Sequence, residues 1–186
     1  MASRAFYEFV QREQTAAKRS EDEKVDWQAE KAEWLRRLDK LFAQVSEYLR
    51  EYVDAGQIIL GYRDIQINEE YIGPYTARTM GIAIGNKTIE LEPIGFLLVG
   101  SRGRVDVVGP VARRAQLMLL DSELKSLSQL VHVSVGTNGE MPAPPPAKSP
   151  SDIRWVWRIV ARPPRREIVE INKDTFLSLL LEIANG

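Results

Sequence analysis

Glu90 and Glu92 stand two apart in the run IELEP, and Asp106 follows in the alternating stretch RVDVV. If both stretches are strands, Glu90 and Glu92 point to one side, about 6.5 to 7 Å apart along the chain. Asp106 on a neighbouring strand would complete an acidic cluster. Three such carboxylates could hold a divalent cation or divide acid and base work between them, the chemistry of a metal-dependent hydrolase. The Asp…Glu-x-Lys pattern of metal-dependent nucleases is missing, because Pro93-Ile94 follows Glu92. The polar side of an antiparallel strand accounts for the same residues, so no metal site, cofactor or catalytic group is assigned to Glu90, Glu92 and Asp106.

Other catalytic chemistry is narrowly bounded. The chain has no cysteine, which removes thiol nucleophiles, thiolate zinc sites and disulfides. Its single histidine, His132, alternates with Val131 and Val133 and reads as a solvated strand residue rather than a base. The glycines between Gly81 and Gly109 fall at turns and strand ends, outside the spacing of a phosphate-binding loop.

Arginine clustering is the strongest local signal. Between residues 100 and 120, Arg102, Arg104, Arg113 and Arg114 face only one acid, Asp106. Between 148 and 166, Lys148, Arg154, Arg158, Arg162, Arg165 and Arg166 face only Asp152. Neighbouring strands would merge these into one basic face suited to phosphates or to an acidic protein. The net charge of −1 gives no general attraction to nucleic acid, and no standard nucleic-acid module is present.

These residues need elements to carry them. Apolar positions from Trp27 through Trp34, Leu38, Leu41, Val45, Tyr48 and Tyr52 predict one long amphipathic helix over about residues 22–55, ended by Gly56. Ser20 with Glu23 forms a capping-box pattern, and Asp22 and Asp26 are competing caps. Thinner apolar content before Trp34 leaves the first half of this helix open to a partner. A shorter helix, or alternatively a frayed arm, is expected over residues 3 to 15.

From residue 57 the period changes to two. Strands are expected at 57–68, around Gly85-Asn86 as a hairpin, at Phe96–Val99, through Val105 and Val107, and from Ala115 to Leu119. Gly61 suggests a bulge or a close backbone approach, and Glu69–Ala77, with Gly73-Pro74, reads as a loop. Leu124–Leu130 is ambiguous, Val131–Val135 alternates as a strand, and the Pro-rich stretch 136–152 reads as a flexible loop. Beyond it, Arg154, Arg158 and Arg162 are expected on one exposed strand face, with Trp155 and Trp157 on the buried one. Asn172 and Thr175 open a C-terminal helix so apolar that most of its surface should be buried.

The order is helix, about seven or eight strands, helix. It predicts an α+β chain: an N-terminal helical segment, 1–56, and an antiparallel β domain, 57–186, whose strongly bent meander sheet or open barrel carries the C-terminal helix. This order resembles the general layout of pleckstrin-homology-like domains. No run is long and apolar enough for a membrane span, and MASRAFYEFVQREQ lacks a signal-peptide core, so a cytoplasmic protein without membrane contact is expected. The functional expectation is a non-catalytic interaction module. It would bind another protein, or a second copy, through its long helix and the face of Arg102, Arg104, Arg113, Arg114, Arg154, Arg158 and Arg162. The alternative is an anion or nucleic-acid binder using the same arginines.

Overall fold

A computed structural model describes residues 26–98, 101–111, 114–124, 153–160 and 167–185. The long helix is α1 (Trp27–Asp54). Asp26 caps it, its Oδ1 accepting from the backbone N–H of Gln28 at 3.1 Å and of Ala29 at 3.0 Å. Gly56, at φ 71°, takes the left-handed conformation that ends it. Trp34, Leu38, Leu41, Phe42, Val45 and Leu49 form its buried stripe. The first half is therefore docked, and Trp27 adds a stacked contact with Tyr71 at 5.4 Å. Among the described residues, the polar side of that half stays open.

Seven strands follow among the described residues: β1 (Ile58–Glu69), β2 (Gly73–Ile84), β3 (Lys87–Gly95), β4 (Arg104–Val108), β5 (Arg114–Asp121), β6 (Trp155–Val160) and β7 (Ile168–Glu170). They form one antiparallel sheet in sequence order, and β1 and β7 do not pair, so the sheet is open. Gly85-Asn86 makes the expected two-residue turn between Ile84 and Lys87. One inward row crosses β3 to β7 through Pro93, Val105, Leu117, Ile159 and Val169. Helix α2 (Lys173–Asn185) follows. The Asn172 and Thr175 side chains each accept the other's backbone N–H at 2.9 Å. The chain is thus α+β. No helix among the described residues is long and apolar enough to cross a membrane.

Several local expectations are corrected. Glu69–Ala77 is not a loop, because β1 and β2 pair residue for residue out to Glu69↔Gly73. Pro74 is tolerated because β2 pairs with β3 only from Met80 onward, leaving the outer part of β2 with one neighbour and no use for the missing N–H. Gly61 marks neither a bulge nor a close approach: the register is continuous, and a Cβ there would meet nothing within 4 Å. Phe96–Leu98 is not a strand but a sharp connection closed by a single bridge from Leu98 to Ser101. The C-terminal helix buries Phe176, Leu179, Leu180 and Ile183 but leaves Leu181 64% exposed. The residue 3–15 helix, Ser20–Glu23 cap, Val131–Val135 strand and Pro-rich 136–152 loop lie outside the described residues.

The two-stranded outer part of β1 and β2 shows what the extra length does. Near β3 the ribbon buries Met80 and Ile82; farther out it buries Tyr75, Ala77 and Thr79, positions of opposite parity, with no bulge between. Two-stranded ribbons twist more than wide sheets, so the ribbon turns its other side to the core. Glu69 then ties the tip back. Its carboxylate accepts the Tyr75 hydroxyl and the backbone N–H groups of Phe96 (3.1 Å) and Leu97 (2.8 Å). Gly95, at φ 146°, leaves room for it, since a Cβ there would lie 2.9 Å from the Glu69 carboxylate.

Burial first, and the Glu69 hydrogen bond second, push the Tyr75 phenol well above its ordinary range. An unfolded tyrosine ionises near pH 10 while Tyr75 in the fold stays protonated, so above that pH the unfolded state binds fewer protons. Stability should fall as pH rises past about 10, with a contribution from this one group approaching about 1.4 kcal/mol per pH unit. Denaturant titrations of wild type and Tyr75→Phe between neutral pH and about pH 11 check this. The variant should show a shallower alkaline loss, and equal slopes would contradict the assignment.

Candidate functional site

The sheet is incompletely covered along β6. β7 reaches only Val160, Ile159 and Arg158, so Trp155, Val156 and Trp157 have no strand beside them on that side among the described residues. Across the gap runs the polar side of the first half of α1. Trp34 sets the spacing, with ring centroids 6.1 Å from Trp157 and 6.3 Å from Phe96. Gly103 admits that indole, because a Cβ there would come within 2.3 Å of it. The result is a groove of about 480 Å³, with Glu33, Arg36, Arg37, Lys40 and Gln44 on the helix wall and Trp155 to Arg158 on the other. A smaller recess of about 270 Å³ adjoins it around Glu30, Arg102 and Ile153, sharing Glu33, Arg37 and Trp155.

Charge in the groove is organised in pairs. Glu33 lies between Arg36 and Arg37; burial works to raise its carboxyl, but the hydrogen bonds from Arg36 and Arg37 prevail and hold it below the ordinary carboxylate value. Arg102 pairs with Glu30 and lies 5.7 Å from the centre of the Trp155 ring. Arg158 Nη1 lies 3.5 Å from Glu170 Oε2. Lys40 has no acidic partner among the described residues. Four cations and two carboxylates line the main groove, a surplus of positive charge next to two half-buried indoles.

The residues singled out by sequence are divided among three places. Arg102 and Arg158 line the two recesses. Arg104 and Arg114 close instead on Asp106, which is 2% exposed: Arg104 donates to both its oxygens at 2.7 and 2.9 Å, and Arg114 stands at 3.9 Å. Arg154 is exposed just before β6. Arg113, Arg162 and His132 lie outside the described residues. Asp106 lies on the neighbouring strand as expected, opposite Glu92, but Glu90 turns to Arg63. Two of the three carboxylates considered for one cation, Glu90 and Asp106, thus take separate arginines. Among the described residues no group of His, Asp and Glu is arranged to hold a metal ion.

The expected exposed face of Arg158 is also corrected, since its side chain is only 20% exposed. Leu120 and Val160, on the same side of the sheet, are 0% and 4% exposed, so this side is packed as well. Conversely Trp155 and Trp157 are only half-buried, because the shortness of β7 uncovers them. Sequence reasoning missed Arg36, Arg37 and Lys40. Their i, i+1, i+4 spacing opposite Trp34 and Leu38 was the available signal. No family model, curated protein or solved structure matches the chain.

Proposed function

We propose that this is a non-catalytic, cytoplasmic interaction module that binds a segment of another protein in the groove between α1 and β6. The observation that carries the reading is the pairing of two half-buried tryptophans with a cationic helix wall where β6 lacks a neighbour. Indoles supply large apolar area at low conformational cost and are enriched where protein partners bind. The alternative is a nucleic-acid or anion binder, favoured by the same tryptophans next to Arg36, Arg37, Arg102 and Arg158. Three carboxylates count against it: Glu30, Glu33 and Glu170 line the same recesses and already engage the arginines. A phosphate chain would have to break those pairs and meet the released acids.

Selection from a random dodecapeptide library on immobilised protein tests the reading. Selected peptides should quench tryptophan fluorescence and lose at least about tenfold in affinity for Trp155→Ala, a change at the groove edge. A single-stranded oligonucleotide is the parallel probe. If it binds with a steep salt dependence that Trp155→Ala abolishes, and no peptide does, the nucleic-acid reading replaces this one.

A further inference from the structure

The main-chain directions of β6 say how the groove would be used. Ser122 N–H donates to Arg154 O at 2.8 Å, and the register continues through Leu120↔Val156 and Met118↔Arg158. In an antiparallel pair, hydrogen-bonded and non-hydrogen-bonded residues alternate. Residues 154, 156 and 158 therefore turn their N–H and C=O groups toward β5, and Trp155 and Trp157 turn theirs away from it. β7 ends at the Glu170↔Arg158 pair, which in this alternation still takes the Trp157 C=O, so from the Trp157 N–H back to Ile153 the direction away from β5 is the groove. The N–H and C=O of Trp155 have no partner among the described residues.

We propose that the free stretch of β6 takes an extended acidic peptide segment as an added strand, an inference that rests on the groove being a protein-binding site. Such a strand would complete the ladder where β7 stops short. Residues 153 to 157 span about 13 Å at 3.3 Å per residue, which matches about four residues of extended chain. Main-chain bonds would supply affinity and alternate side chains specificity. Side chains on the Trp155 and Trp157 side of the new strand meet Arg36, Arg37 and Lys40, of which Lys40 has no acidic partner among the described residues, so acidic residues fit there. Those on the opposite side lie beside Val156, flanked by the exposed Arg154 and by Arg158, which already meets Glu170, so an apolar residue fits beside Val156. The occupant is thus a segment alternating acidic and apolar residues. A nucleic acid cannot complete this ladder, having no repeating N–H and C=O pair along its backbone.

Among the described residues nothing protects this edge against such an addition. Natural open edges are blunted by proline, bulges or central charges. Trp155, Val156 and Trp157 offer none of these.

The test uses the full chain and the synthetic peptide Ac-Glu-Val-Glu-Val-Glu-Val-NH2, read by tryptophan fluorescence. Saturable binding is expected, weakened at least about tenfold by Lys40→Glu, which changes an exposed side chain. Methylating alternate backbone nitrogens of the peptide should weaken binding at least about tenfold for one set and less than about twofold for the other. A peptide that loses affinity for Trp155→Ala but is indifferent to N-methylation would overturn the added strand and leave the groove reading intact. Failure to bind the alternating peptide, while library-selected peptides bind through Trp155, would do the same. Peptide binding of any kind that is indifferent to Trp155→Ala would overturn both. Displacement of the peptide as the protein dimerises at high concentration, seen by sedimentation, would assign the edge to a second copy instead.

Discussion

Removing residues 173–185 is expected to leave the protein unfolded or aggregated rather than merely less stable. Phe176, Leu179, Leu180 and Ile183 are all less than a tenth exposed. At about 1.5 to 3 kcal/mol for each fully buried side chain, their loss approaches or exceeds the roughly 5 to 15 kcal/mol stability of a whole domain. The contact is also close at the backbone: a Cβ on Gly109 would lie 2.5 Å from Ile183 Cγ2. Lys87 Nζ donates to Ala184 O at 2.6 Å, and Lys173 meets Glu51 of α1 at 2.9 Å. The helix therefore plugs the sheet and braces α1 together. Circular dichroism and gel filtration of the truncated chain decide the matter. A soluble monomer with an unchanged melting temperature would show that α2 contributes little to the core. Leu181→Glu serves as a control, since a 64% exposed position on the same helix should tolerate it.

Trp34→Ala should cost about 3 to 5 kcal/mol, the range for truncating a buried tryptophan. Trp34 is 1% exposed and touches Phe96, Trp157 and the backbone at Gly103. Gly103→Ala, which drives a methyl into the same indole, should cost about 1 to 3 kcal/mol as overpacking. The two effects are not independent. Once the indole is gone the methyl has space, so Gly103→Ala should cost little in the Trp34→Ala background, and the double variant should be more stable than the sum of the single losses implies. Urea melts of the four proteins measure the coupling. Simple additivity would mean that Gly103 is constrained by something other than Trp34.

How much of this was legible beforehand follows from the physics of each signal. The stripe from Trp34 to Leu49 and the turn at Gly85-Asn86 were readable because helix period and hairpin chemistry are local. The ribbon tip was not. Gly73-Pro74 reads as a break unless one knows that β2 has only one neighbour there. Nor was the fate of Arg158 readable, since alternation separates two sides of a strand without saying whether both are packed. The adjacent Leu119 and Leu120, both buried, were the hint that they are. The groove was the least legible feature. Its walls are far apart in sequence, and it exists because β7 stops at Glu170, a boundary that no residue pattern announces.

Strand order that follows the chain has a consequence for how the two sides of the sheet are held together. β4 and β5 are joined by residues 109–113, whereas β5 and β6 are joined by residues 122–154. By length alone, the logarithmic dependence on loop length sets about 1.7 kcal/mol more closure entropy against the longer connection than against the shorter one. The β5–β6 junction is thus the seam of the sheet, the place where connectivity contributes least and side-chain packing must contribute most. β6 is both the far side of that seam and the open wall of the groove. A strand bound there would work as a staple, fastening β6, β7 and α2 to the strands on the near side of that seam.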